Sequence, residues 1–302
     1  MPTSSPYPAG PPTIDGVDIT VNLWLKSPAI VQRSMEALTS QRFITDQVLS
    51  KGPDAPGGSV VYDQLTETDL FTKRDVQAIE PGSAFPILDV GEVAPKVAEV
   101  VKWGGAGILT YEDVRRDRRD KLGRMLTRLK NTVIRKVDTV TIAALEAARV
   151  ATTIPSQGAS ADWSTVTTDI IGDAETARSV VETSDLGYEI DTAIIHPTDA
   201  LGVRKNTGIR AALPRENTAN NLIGAKDLDG LLRIDHWYVT PRATAGRPFL
   251  CASKLIGSYS DELPLYTRVI DQPENERYIV QAARVTVPYI TDPKAGIFIT
   301  GA

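Results

Sequence analysis

The sequence predicts an α+β fold, and three observations carry that prediction. Between Tyr111 and Arg149, apolar residues recur at helical spacing for far longer than an ordinary helix runs. Strand-like segments gather in the last third of the chain and do not alternate with helices. Between the N-terminus and the long periodic stretch lies a segment, Arg74 to Trp103, that proline and glycine break too often for a packed central sheet, yet it is too apolar for disorder. With 302 residues, 42% of them hydrophobic, the chain has material for one large domain or two modest ones around a real core.

Taken in order, the first two dozen residues are rich in Pro, Ser, Thr and Gly and lack periodicity, so they read as an arm. Ser34 to Phe43 has the pattern of a short helix. GPDAPGG, residues 52–58, is a hinge before the strand-like SVVYDQL. The broken segment that follows fits a long twisted β-hairpin leaving the body. A lone two-stranded ribbon is marginal in water, so it is expected to lie on something, and in a chain this short that is another subunit.

Gly104, Gly105 and Gly107 then follow a strand and precede the long helix, where close approach of hairpin to helix accounts for them. Thr110 and Asp113 have capping-box spacing, with Glu112 and Asp113 suited to the positive helix end. Val114, Leu122, Met125, Leu126, Leu129, Val133, Val137, Val140, Ala144 and Ala148 continue the pattern, which predicts one rod on the order of 60 Å long. Its first half is loaded with arginine and lysine, and Asp117–Lys121 and Asp120–Arg124 stand at ion-pair spacing. Such a face serves simple solvation, contact with an acidic neighbouring subunit, or a nucleic-acid track, in that order of expectation.

Ser160 to Glu182 predicts a second amphipathic helix, with Trp163, Val166, Ile170, Ala174, Ala177 and Val181 on one face. DTAIIHP reads as a buried strand entering a helix whose first turn holds Pro197. GLLRIDHWYVTP, RPFLCASK, ELPLYTRVI, RYIVQAARVTVPYI and GIFITG are further strands, with DQPENER as a link.

Several functions are disfavoured at once. A net charge of −5 does not suit a protein whose business is gripping nucleic acid. No apolar run approaches the roughly 20 residues a membrane span needs, and the N-terminal stretch has no signal-peptide pattern, so a soluble cytosolic product with no membrane partner is expected. Cys251, the only cysteine, sits in PFLCAS and reads as a buried small hydrophobe. His196 and His236 have no ligand-spaced partners, the glycines fit no nucleotide fingerprint, and no hydrolase or metal motif is present. No catalytic, cofactor or metal residue is therefore assigned, and the chain is not expected to be an enzyme.

The order of arm, projecting hairpin, long helix and terminal strands resembles the major capsid proteins of tailed bacteriophages, of the kind found in phages of actinobacteria. FTKRDVQAIEPGSAFPILDVGE, PKVAEVVKWGGAGILTYEDVRRDRR with LKNTVIRKVD, AIIHPTDALGVRKN and ARVTVPYITDPKAGIFITG carry the resemblance, which spans nearly the whole chain after the arm. It implies an arm and short helix over 1–57, an extended loop over 58–104, and a peripheral domain with its spine helix over 105–182. An axial domain over 183–268 and returning peripheral strands over 269–302 complete the plan. It further implies a structural protein assembling as hexamers and pentamers into an icosahedral shell around double-stranded DNA. Such a shell is built in the host cytoplasm and works with a portal and with scaffolding or cement proteins. Lys73, Arg74, Phe85, Lys96, Trp103, Arg115 and Arg119 are the expected inter-subunit contacts. Lysine–asparagine crosslinking through Lys73, Lys96 or Asn275 is marked by no motif and not expected. The short arm implies separate scaffolding or none. An encapsulin-like bacterial compartment shares the fold and is the alternative, although such shells begin with an interior helix where this chain has a proline-rich arm.

Overall fold

The computed structural model describes residues 14–15, 18–19, 43–65, 76–83, 85, 95–116, 119–151, 153–212 and 228–302. Short strands β1 (Ile14–Asp15) and β2 (Asp18–Ile19) pair antiparallel. The helix expected over Ser34 to Phe43 lies outside the described residues except for Phe43, which stands as N-cap to α1 (Ile44–Val48). Beyond it come β3 (Ser50–Lys51), β4 (Ser59–Tyr62), β5 (Lys96–Glu99) and β6 (Val101–Thr110).

Two sheets organise the rest. One has the order β3-β11-β12-β6, where β11 is Gly257–Gln272 and β12 is Arg277–Ile290. The other has the order β7-β13-β10-β8-β9, built from Ser156–Gly158, Gly296–Thr300, Phe249–Cys251, Thr192–Ile195 and His236–Val239. Sequence-distant strands thus lie side by side, as the α+β expectation requires. The boundary expected at 268 falls inside β11, which continues to Gln272 in one unbroken ladder with β12. Strand β13 pairs with β10 and β7 in the five-stranded sheet.

The single rod is corrected to two helices. Thr110 and Asp113 do form the capping box, but α2 (Tyr111–Arg115) ends at Arg116, whose φ −87° and ψ 6° leave the helical region. The 32-residue α3 (Arg119–Val150) follows, about 48 Å long at about 1.5 Å per residue. Helix α2 begins against the β11–β12 hairpin: Tyr111 donates its N–H to the Glu276 carbonyl and its hydroxyl to Asp271. Lys121 pairs back across the break with Asp113; Asp117, its expected partner, lies outside the described residues.

The glycines are corrected too, since β6 runs straight through them. The close-approach reading survives. A Cβ on Gly107 would stand 2.4 Å from the Met125 sulfur, and one on Gly105 would stand 3.1 Å from Leu129 Cδ1. Without side chains there, α3 settles on the sheet and buries Leu122, Leu126 and Leu129 against Leu109, Val280 and Ala282.

The second predicted helix is shorter than expected. Helix α4 (Ile170–Glu182) starts only where Asp169 accepts the Gly172 N–H at 2.9 Å. Trp163 lies in the preceding turns, fully buried, its indole N–H donated to Asp173 at 2.9 Å, while Val166 is exposed. Strand β8 enters α5 (Pro197–Lys205) as predicted, with His196 as N-cap and Pro197 in the first turn. Helix α6 (Thr207–Ala212) follows. Residues 231–233, expected in a strand, form a 3-10 turn in which Leu232 and Arg233 take positive φ of 55° and 58°. The buried Arg178 holds this turn by donating to the carbonyls of Leu232 and Arg233.

Candidate assembly surface

The ribbon leaves the body at the β4–β5 pair. Val60 lies opposite Ala98 and Val61 opposite Val97. Side chains alternate faces along a strand, so one face of this pair packs inward and the other does not. Val60, Ala98, Tyr62 and Val100 gather on Tyr289, whose ring centroid is 4.8 Å from that of Tyr62. The directly opposed Val61 and Val97 remain 65% and 64% exposed. Farther along the ribbon Phe85 is 84% exposed and Val76 79%.

The sequence-predicted contact residues separate into groups. Lys73 and Arg74 lie outside the described residues. Phe85 stands out from the body, and Lys96 at the ribbon base donates to Gln64 within the same chain. Trp103 is an internal anchor: it packs on the cluster of Phe43, Val133 and Val137, with the Lys136 ammonium 4.6 Å above its ring. Arg115 is exposed at the end of α2, and Arg119 opens α3, its side chain outside the described residues.

A charged lock just after the arm escaped sequence reasoning. Arg284 on β12 is 4% exposed and binds Asp261 through two nitrogens, at 3.1 and 3.0 Å, and Asp46 on α1 at 2.8 Å. Its guanidinium lies 4.9 Å from the Phe43 ring and 5.0 Å from the Tyr259 ring. The carboxylates raise the arginine pKa further, against the opposing effect of burial, so it stays charged. Beside it Asp138 on α3, 2% exposed, accepts the Ile44 N–H at 3.0 Å. Burial pushes the Asp138 pKa up to about 6; Asp46 adds to the rise, while Arg242 and Arg284 oppose it. Thr45 and Thr141 share a buried hydrogen bond at 2.6 Å. These contacts fasten α1 to the long helix and the four-stranded sheet together. Partners up to 238 residues apart leave no local signal in the sequence.

Among the described residues, no group of His, Cys, Asp and Glu could hold a metal ion. Cys251 is fully buried, and burial raises its thiol pKa. No described helix is long and apolar enough to cross a membrane.

Solved structures similar in fold include phage capsids and a virus-like particle. The chain is similar to the mature capsid of bacteriophage PhiM1 at 13% identity and TM-score 0.58, covering 85% of this chain and 86% of that one. A Microbacterium phage Oxtober96 chain matches at 12% identity and TM-score 0.54, over 86% and 94%. A virus-like particle from Pyrococcus furiosus matches at 10% identity and TM-score 0.59, over 90% and 98%. No curated protein matches the chain. The fold is therefore the α+β fold of tailed-phage major capsid proteins. Residues 92–299 match the phage capsid protein family, well over half of the 302, and the chain belongs to that family. It is a structural protein of the virion shell, not an enzyme.

Proposed function

We propose that this chain builds an icosahedral shell from hexamers and pentamers of itself around double-stranded DNA, assembling in the host cytoplasm with portal and scaffolding or cement proteins. In this reading residues 58–104 are the extended loop that overlies a neighbour. The sheet β3-β11-β12-β6 with α3 is the peripheral body, and the five-stranded sheet with α4 to α6 is the axial part at the ring centre. Phe85, Lys96 and Arg115, together with Lys73, Arg74 and Arg119, meet the neighbouring subunit.

One observation carries the proposal: the ribbon base buries one face on Tyr289 and turns the Val61–Val97 pair outward, 65% and 64% exposed. Covering a valine is worth about 1.5–3 kcal/mol. Each such contact is small, but in a closed shell every copy both gives and receives it, so modest contacts sum to a stable container. The net charge of −5 suits a container from which DNA must leave, because a weakly repulsive wall does not grip it.

Electron microscopy of the purified chain tests this directly. Closed shells with five- and six-fold capsomers are expected. A chain that sediments only as a folded monomer at high concentration, and still does when expressed together with its scaffolding protein, would refute it. Nuclease-protected DNA in particles from infected cells separates a phage shell from a compartment loaded with protein cargo.

A further inference from the structure

Strand β9 ends the order of the five-stranded sheet, and a cavity of ≈ 1010 Å³ lies between it and α3. Three parts of the chain line it: α3 gives Asn131, Arg135 and Asp138, the start of α1 gives Ile44, and β9 with the turn after it gives Tyr238 and Arg242. A water takes roughly 30 Å³, so the space admits a polyatomic guest.

The charge on this wall is lopsided. Arg242 is half-buried, and the Thr240 hydroxyl accepts from its Nη1 at 3.3 Å and from its backbone N–H at 3.4 Å. Its Nε–H is buried and has no acceptor. Buried donors are nearly always satisfied, so an orphan beside a cavity points to an acceptor supplied from outside the chain. Arg135 is exposed on α3 and lines the same space. Among the described residues neither guanidinium forms an ion pair with a carboxylate. Asp138 is the carboxylate on the wall, and the Ile44 N–H already holds it at 3.0 Å. Two cations against one carboxylate favour an anionic guest over a metal ion.

We propose that this cavity binds a tetrahedral oxyanion, a free phosphate or one phosphate of a nucleic-acid strand, between Arg242 and Arg135. A guanidinium presents its N–H donors as a planar fork that matches phosphate oxygens, and the Arg242 Nε–H is one such donor without other employment. The site lies within a single copy, so it does not depend on the shell reading. Asp138 governs its strength. Burial pushes the Asp138 pKa up to about 6; the Ile44 N–H, Arg242 and Arg284 on β12 oppose the rise, and Asp46 on α1 adds to it. From β9 the cavity also receives Tyr238, whose ring lies 6.4 Å from that of His236. Below about pH 6 the carboxyl is neutral, and above it a negative charge faces the guest. Binding therefore tightens as pH falls through that value, and a bound anion raises the Asp138 pKa in return.

Calorimetric titration of the full, unassembled chain provides the test, with inorganic phosphate and a short single-stranded thymidine oligonucleotide as probes at pH 6. Binding of phosphate alone identifies a free anion as the guest; binding of the oligonucleotide identifies the nucleic-acid backbone. Arg242→Ala is expected to weaken binding at least about tenfold. Arg135→Ala changes an exposed position, so it keeps the fold and carries the test even where Arg242→Ala does not fold. Binding of neither probe, or binding that both variants leave unchanged, overturns the site. Sulfate, whose charge is constant from pH 5 to pH 8, isolates Asp138: its affinity should be about tenfold higher at pH 5 than at pH 8 in the parent and vary by less than about twofold in Asp138→Asn. A pH dependence that survives in Asp138→Asn overturns the part given to Asp138 and transfers it to His236. Shell formation is read separately by microscopy, so failure here leaves the shell reading standing.

Discussion

Asp138→Asn isolates one buried charge without altering its hydrogen bond. Asp138 is 2% exposed and its carboxylate accepts the Ile44 N–H, a bond the asparagine carbonyl can also accept. Burial raises the pKa from 3.8 to about 6. A shift of roughly two units at about 1.36 kcal/mol each makes the ionised carboxylate unfavourable in the fold by on the order of 3 kcal/mol. The sign follows from proton binding. Between the unfolded pKa near 3.8 and the folded pKa near 6, the native state holds more protons than the unfolded one. Stability contributed by this group is therefore greatest below the lower value, falls as pH rises through the window, and stays low above it. The asparagine variant should then exceed the parent at pH 8 by up to about 3 kcal/mol, a rise on the order of 5 °C in Tm, and match it near pH 4. Thermal unfolding of unassembled protein across pH 4–8 reads this out. A variant less stable than the parent at pH 8 would refute the reasoning, because it would mean that Arg242 and Arg284 more than compensate the buried charge.

Other perturbations test neighbouring claims. Arg284→Met removes the partner of Asp261 and Asp46 while keeping bulk; stranding a buried carboxylate should lower stability by about 3–5 kcal/mol in denaturant titration, and a loss under about 1 kcal/mol would show the lock to be idle. Gly107→Val drives a side chain into Met125 and should destabilise by about 1–3 kcal/mol, with Met125→Ala recovering part of the loss; no recovery would mean that the contact between sheet and α3 is not what the glycine protects. Val61→Asp with Val97→Asp changes exposed positions, so monomer stability should move by less than about 0.5 kcal/mol while sedimentation shows assembly abolished. Shells forming at the parent concentration would remove the ribbon base from the contact surface.

What the sequence disclosed was local. RYIVQAARVTVPYI is β12 from first residue to last, Thr110 and Asp113 form the expected capping box although on the short α2 and not on the long helix, and Pro197 opens α5. Each is fixed by neighbours a few residues away. The misread features are those where distant groups override a local pattern. Periodicity ran through residues 111–149 without a visible stop, yet the backbone leaves the helical region at Arg116, and Glu276 and Asp271, far along the chain, bind Tyr111 at the start of the short helix. Leu232 and Ile234 alternate like a strand, but Arg178 and the left-handed Gly230 fold that stretch into a turn. Of the expected contact residues, Phe85 and Arg115 are exposed, whereas Trp103 is partly buried against Phe43, Val133 and Val137 of its own chain, a contact no local pattern announces.

The arrangement of rigid and unsatisfied parts bears on how one chain can occupy unequal positions in a shell. Helix α3 is fastened along its length: leucines and glycines seat its first half on the four-stranded sheet, and Asp138 and Thr141 tie its middle to α1. Helix α1 is fastened in turn to Arg284, so the chain emerging from the arm meets the body at a buried ion pair and not at a free joint. Among the described residues, the ribbon base meets β12 through the packing of Val60, Tyr62, Ala98 and Val100 on Tyr289 and Val287. Motion that must be absorbed between five-fold and six-fold environments will concentrate where the fewest buried contacts resist it. In the proposed shell, Asp138, Thr141 and Arg284 hold α3 and α1 on the four-stranded sheet as one unit, so a difference between five-fold and six-fold positions is expected to be taken up outside that unit.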